Sequence, residues 1–145
     1  MTSERQQELA EVFRFVDGSQ SLPKLVEFVE RLNISADAKS LLMDVARVTV
    51  KIGTRILQIG RCILSFAVDT IRNYPNTSFG AVIALVLSSL VAAIPLVGPI
   101  LAPLLAPLLL AFGFAAGALT DMVSGPARTR IRELELRFSI LSGGQ

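Results

Sequence analysis

The apolar positions of this chain change rhythm along its length, and each rhythm predicts a different kind of element. Leu9, Val12, Phe13 and Val16 recur at helical spacing from Ser3 to Val16, and Asp17-Gly18 reads as a C-terminal stop. A second short helix follows, with Ser21 ahead of a first-turn proline, Pro23, and with Leu25, Val26, Phe28, Val29 and Leu32 as its apolar positions. Residues 1–34 are therefore expected to form a small helical hairpin.

Ser35 is a fair N-cap and Asp37 places negative charge in a first turn, where the helix dipole favours it. The pattern then predicts one long amphipathic helix over residues 35–72, about 45 Å from Leu41 onward at 1.5 Å per residue. Its polar positions are Asp44, Arg47, Lys51, Arg55, Gln58, Arg61, Ser65, Asp69 and Arg72, three or four apart throughout. They draw a narrow, mostly cationic stripe, and apolar or small residues fill the remaining circumference. A surface helix shows the reverse proportion. Such a helix must bury most of its girth in a bundle, in a lipid interface or against copies of itself.

From Arg72 to Asp121 the chain runs 48 residues without a charged side chain. One membrane crossing needs only about 20 apolar residues, so the length suits two helices and a bend. Pro95, Pro99, Pro103 and Pro107 sit in the middle at four-residue spacing. Each proline inside a helix costs roughly 3 kcal/mol, which places the bend around Val97-Gly98-Pro99 and puts Pro107, with Pro103, in the first turn of a returning arm. The first arm reads Phe79 to Ile94 and the second Leu108 to about Met122. Ala111, Gly113 and Gly117 give the second arm small residues at helix-packing spacing. In the C-terminal segment, 126–145, a helical seam of Ile131, Leu134, Phe138 and Leu141 competes with strand-like alternation, and helix is favoured because no partner strand is apparent.

The expected fold is all-α: an integral membrane helical hairpin (78–123) preceded by a short helical pair and a long amphipathic helix, with a short C-terminal helix. Composition agrees, since 52% of residues are hydrophobic and the mean hydropathy is +0.59, more than a domain of this size usually carries. The alternative is that the uncharged run is the core helix pair of a bundle. Its 21 Leu, Ile, Val and Phe residues from Phe79 to Leu119 would supply about −9 kcal/mol toward insertion.

Charge refines this picture more than it changes it. The net charge is +2, and the basic excess flanks the hairpin. This is too sparse for a nucleic-acid surface, but it orients a membrane segment: Arg61 and Arg72 on one side and Arg128, Arg130 and Arg132 on the other place both termini in the cytosol, with those last three as interfacial anchors. The stripe of Arg47, Lys51, Arg55, Arg61 and Arg72 has three readings: a solvated bundle face, a contact for anionic lipid, or the lining of a wet lumen. With no histidine and Cys62 as the single cysteine, neither a Cys/His metal site nor a histidine-based triad is available. No catalytic residue, metal or cofactor is expected, and Cys62 reads as apolar filler. Asn33 and Asn76 head glycosylation-like triplets but are read as caps.

In arrangement, though through no shared residue motif, the long helix and uncharged hairpin resemble the pore-forming segment of colicins. The proline-rich bend resembles the proline knot of oleosin-like lipid-droplet hairpins. Phe13-Arg14-Phe15-Val16-Asp17-Gly18 with Ile59-Gly60-Arg61 resembles the opening of the membrane-elongating peroxins, over too little of the chain to imply a role. The functional expectation is a homo-oligomeric, membrane-perturbing or pore-forming unit. Its alternative is a non-conducting anchor or membrane-shaping scaffold whose N-terminal helices recruit a protein partner.

Overall fold

The computed structural model describes residues 2–75, 78–113 and 125–142, and within them the chain is mostly helical. The first helix, α1 (Thr2–Asp17), buries Val12 and Val16 and ends where the Gly18 N–H donates to the Arg14 carbonyl at 2.9 Å. In α2 (Leu22–Arg31), Pro23 occupies the first turn and Leu25 and Val29 are buried. Ser35 caps α3 (Ala36–Ala46), its hydroxyl accepting from the Ala38 N–H at 3.1 Å. The two N-terminal helices do not form a self-contained hairpin: α2 packs on α3.

The long helix expected over residues 35–72 is absent. α3 stops at Ala46 with Arg47 as its C-cap, and an antiparallel hairpin of β1 (Val50–Ile52) and β2 (Arg55–Leu57) follows, paired Val50↔Leu57, Lys51↔Ile56 and Ile52↔Arg55. The cause is local. Val48, Val50 and Ile52 alternate with polar residues and are β-branched, which favours a pleated strand. Gly53 then takes φ +63° at the first position of a two-residue loop, the place where a tight hairpin turn of the II′ class wants glycine. Val50 and Leu57 point to the core, while Lys51 and Ile56 face out.

Helix resumes at α4 (Ile59–Asn73), ten of whose fifteen residues are buried, so it is a core helix. Ser78 caps α5 (Phe79–Ala93) through the Ala81 N–H at 3.1 Å. α5 carries no charge, is buried through most of its length, and is packed by α4, by α6 (Gly98–Ala111) and by α7 (Gly125–Ser142). α3 also packs on α6, and α1 packs on α4 and α7. In α7 the helical seam is realised: Ile131, Leu134, Phe138 and Leu141 are all buried. The core centres on Leu42, Ile63, Leu64, Ile83, Leu87 and Leu90, each fully buried.

Candidate functional site: the proline-bearing face of α6

The α5–α6 hairpin turns much where the sequence places it. α5 ends at Ala93 because Ile94 leaves helical geometry ahead of Pro95. The Val97 and Gly98 N–H groups then both donate to the Ile94 carbonyl, at 3.2 and 2.8 Å. Gly98 is needed for close approach, since a Cβ there would lie 2.8 Å from the Val91 carbonyl oxygen.

The returning arm differs from expectation. Pro99, not Pro107, occupies the first turn of the new helix, and Pro103 and Pro107 lie inside it. Their common spacing explains how the helix survives. Pro99, Pro103 and Pro107 all lie on the exposed side of α6, so the missing N–H groups and the ring clashes fall on the outer wall while the inner wall keeps its ladder. That inner wall buries Leu101 and Leu108.

Gly113 is likewise not the mid-helix packing residue expected. It follows the last turn with φ +80°, and its N–H donates to the Leu110 carbonyl at 3.0 Å, the left-handed stop that glycine best supplies. Ala111, half-buried, is the last residue of α6. Gly117 and most of the expected second arm lie outside the described residues.

The outer face of α6 is formed by Pro99, Ala102, Pro103, Ala106, Pro107 and Leu110, at steps of three and one that trace a single helical face. All six are exposed, and Leu110 reaches 77%. From Leu90 to Leu119 the chain has no polar side chain. This face therefore offers no side-chain hydrogen bond. Its backbone offers acceptors: with no N–H at positions 103 and 107, the carbonyls of Pro99 and Pro103 have no helical donor four residues on.

The predicted cationic stripe is dispersed. Arg47 is exposed at the end of α3 and Lys51 on β1. Arg55 on β2 pairs with Asp17 and lies 4.3 Å over the Phe13 ring. Arg61 on α4 turns inward, donating to Ser19 Oγ at 3.0 Å and to the Val16 carbonyl at 3.4 Å; Arg72 is exposed at the end of α4. The break at Gly53 removes the shared helical register that would have aligned them. Of the three C-terminal arginines, Arg128 and Arg132 are exposed on α7, whereas Arg130 is directed to α4, where it donates to Thr70 Oγ1 at 3.3 Å.

Comparisons with protein families, curated proteins and solved structures find no match. No described helix is long and apolar enough to cross a membrane. At 1.5 Å per residue, the 15 residues of α5 and 14 of α6 reach about 22 and 21 Å, against a hydrocarbon core of roughly 30 Å. Among the described residues there is also no cluster of metal-ligating side chains.

Proposed function

We propose that this protein binds a lipid bilayer from one side, laying the outer face of α6 into the interface as a non-conducting anchor or membrane-shaping element. One observation carries the reading: a helical face of six exposed residues between Pro99 and Leu110 without a polar side chain. A protein partner would ask for roughly one hydrogen bond per 100–200 Å², which the six side chains of this face do not provide; polar groups enter only at its edge, where Asp37 and Ser40 of α3 flank Pro107 and Leu110. Acyl chains ask for no hydrogen bond.

The prolines set the depth. The two carbonyls without helical donors would be costly in hydrocarbon but are readily hydrated among headgroups, which supports shallow seating in one leaflet. The lengths of α5 and α6 point the same way.

A flotation assay with anionic vesicles tests this. The chain should float with the vesicles, and Leu110→Glu, at a position 77% exposed, should reduce binding at least about tenfold. Wild-type protein left in the unbound fraction at saturating lipid would reject the reading.

A second reading, insertion of the hairpin to form a homo-oligomeric pore, is favoured by α5 itself, an uncharged helix held inside a jacket of other helices. Vesicle contents separate the two. The anchor retains entrapped dye on binding, and the pore releases it.

A further inference from the structure

A cleft of about 390 Å³ opens where the end of α1 meets α4 and α7, far in sequence from the α6 face and independent of it. Its volume is that of a small-molecule site. Arg14 from α1 and Arg130 and Arg137 from α7 line it, and among the described residues none of the three pairs with a carboxylate, the ion pairs there joining Arg31 to Glu27 and Arg55 to Asp17.

Two of these guanidinium groups are positioned by aromatic rings. Arg130 lies 5.2 Å from the Phe66 centroid, with one N–H given to Thr70, and Arg137 lies 4.6 Å from the Phe15 centroid. Phe15 is in turn braced edge-on by Phe138 at 6.3 Å. A guanidinium resting on a ring keeps its remaining in-plane N–H groups for other acceptors. Ser65 lines the same cleft and is only 6% exposed; its Oγ accepts from the Gln20 N–H at 2.9 Å, which leaves its own O–H to donate. Asp69 and Glu133 also border the cleft. Three guanidinium groups against two carboxylates leave +1 at the lining.

We propose that this cleft binds a phosphate group, carried either by a small soluble phosphate compound or by a lipid headgroup. Arg130 and Arg137 hold its oxygens and the Ser65 hydroxyl donates a further bond. Two forks and a hydroxyl offer more donors than a carboxylate's two oxygens use well, whereas a tetrahedral phosphate can accept them all. Asp69 and Glu133 disfavour a second negative charge, so the cleft suits a phosphodiester better than a dianionic monoester.

Calorimetric titration of the full chain with inorganic phosphate and with glycerophosphoglycerol, beside flotation with vesicles of phosphatidylglycerol in phosphatidylcholine, tests this. Saturable binding is expected, tightest for the diester. Arg130→Gln and Arg137→Gln should each weaken it about tenfold, the loss of one charge-assisted contact. Arg14→Gln guards against misfolding, because its one bond, to the Ala10 carbonyl, lies within its own helix; it should weaken binding with the melting curve unchanged. Leu110→Glu should leave soluble phosphate binding intact, which separates failure here from failure of the α6 reading. If only vesicle binding responds to the arginine substitutions, the phosphate is a headgroup. The proposal is overturned if neither soluble compound binds saturably and vesicle binding ignores all three arginine variants, or if soluble binding persists unchanged in them.

Discussion

Gly60 sits against Val45 so closely that a Cβ at position 60 would fall 1.7 Å from the Val45 carbonyl oxygen and 2.9 Å from the Val48 backbone nitrogen. The Gly60 N–H also donates to the Val48 carbonyl at 2.9 Å. This contact seats the start of α4 on the end of α3 and closes the base of the β-hairpin between them. Both obstacles are main chain, so Gly60→Ala must push the helices apart, and we expect a loss of about 3 kcal/mol or more by urea denaturation. Gly53→Ala is the informative contrast. It has nothing within 4 Å but a φ of +63°, and should cost only about 1–2 kcal/mol.

Much of this architecture is legible in the sequence because one periodicity is unopposed there. The seam of α7 and the Ser35 cap follow from spacing and capping chemistry, and both are realised. The stretch from Val48 to Leu57 misleads because its apolar residues satisfy two templates at once: polar positions three or four apart fit a helix, while the β-branched alternation about Gly53-Thr54 fits a hairpin. Turn chemistry decides between them. α6 begins at Gly98, ten residues before the expected arm, because prolines four apart share one face, where their cost is smallest. The arginine cleft has no sequence signal, since Arg14, Ser65 and Arg137 meet only through packing.

Cys62 is buried between α4 and its neighbours, and burial pushes its thiol from 9.0 up to about 12, against the opposing pull of Arg137 and Arg61. A thiol whose folded-state pKa is raised adds stability that is complete below the unfolded value. That contribution is lost as pH climbs from about 9 toward 12, by at most about 1.4 kcal/mol per pH unit. Alkaline unfolding curves should therefore be shallower for Cys62→Ala than for the wild type, although the variant is less stable at neutral pH. The native thiol should also resist iodoacetamide at pH 8 and react once urea unfolds the chain.

Arg55 ties the hairpin to α1 through Asp17 and the Phe13 ring. Both partners are largely exposed, at 45% and 61%, so screening keeps the ion pair weak. A double-mutant cycle with Arg55→Gln and Asp17→Asn should return a coupling of about 0.2–1 kcal/mol, shrinking at high salt. Arg55→Ala, which also removes the ring contact worth about 0.5–1 kcal/mol, should lose more than Asp17→Asn.

Pro103 and Pro107 weaken α6 in exchange for a smooth face, and removing them should reveal the cost. Alanine at either position restores an N–H for the carbonyl four residues before it and relieves the ring clash, gains of roughly 3 kcal/mol less about 0.4–1 for a freer unfolded chain. Pro103→Ala and Pro107→Ala should each stabilise the fold by about 2 kcal/mol in urea, with the denaturant slope unchanged. Pro99→Ala, in the first turn where no bond is missing, should be neutral or slightly destabilising. The same variants probe seating depth. If carbonyls left open by proline keep α6 at headgroup level, closing them should let the helix sink, and a fluorophore attached at position 110 should shift further to the blue in Pro103→Ala/Pro107→Ala than in the parent chain. An unchanged spectrum in the stabilised double variant would show that the prolines do not set that depth.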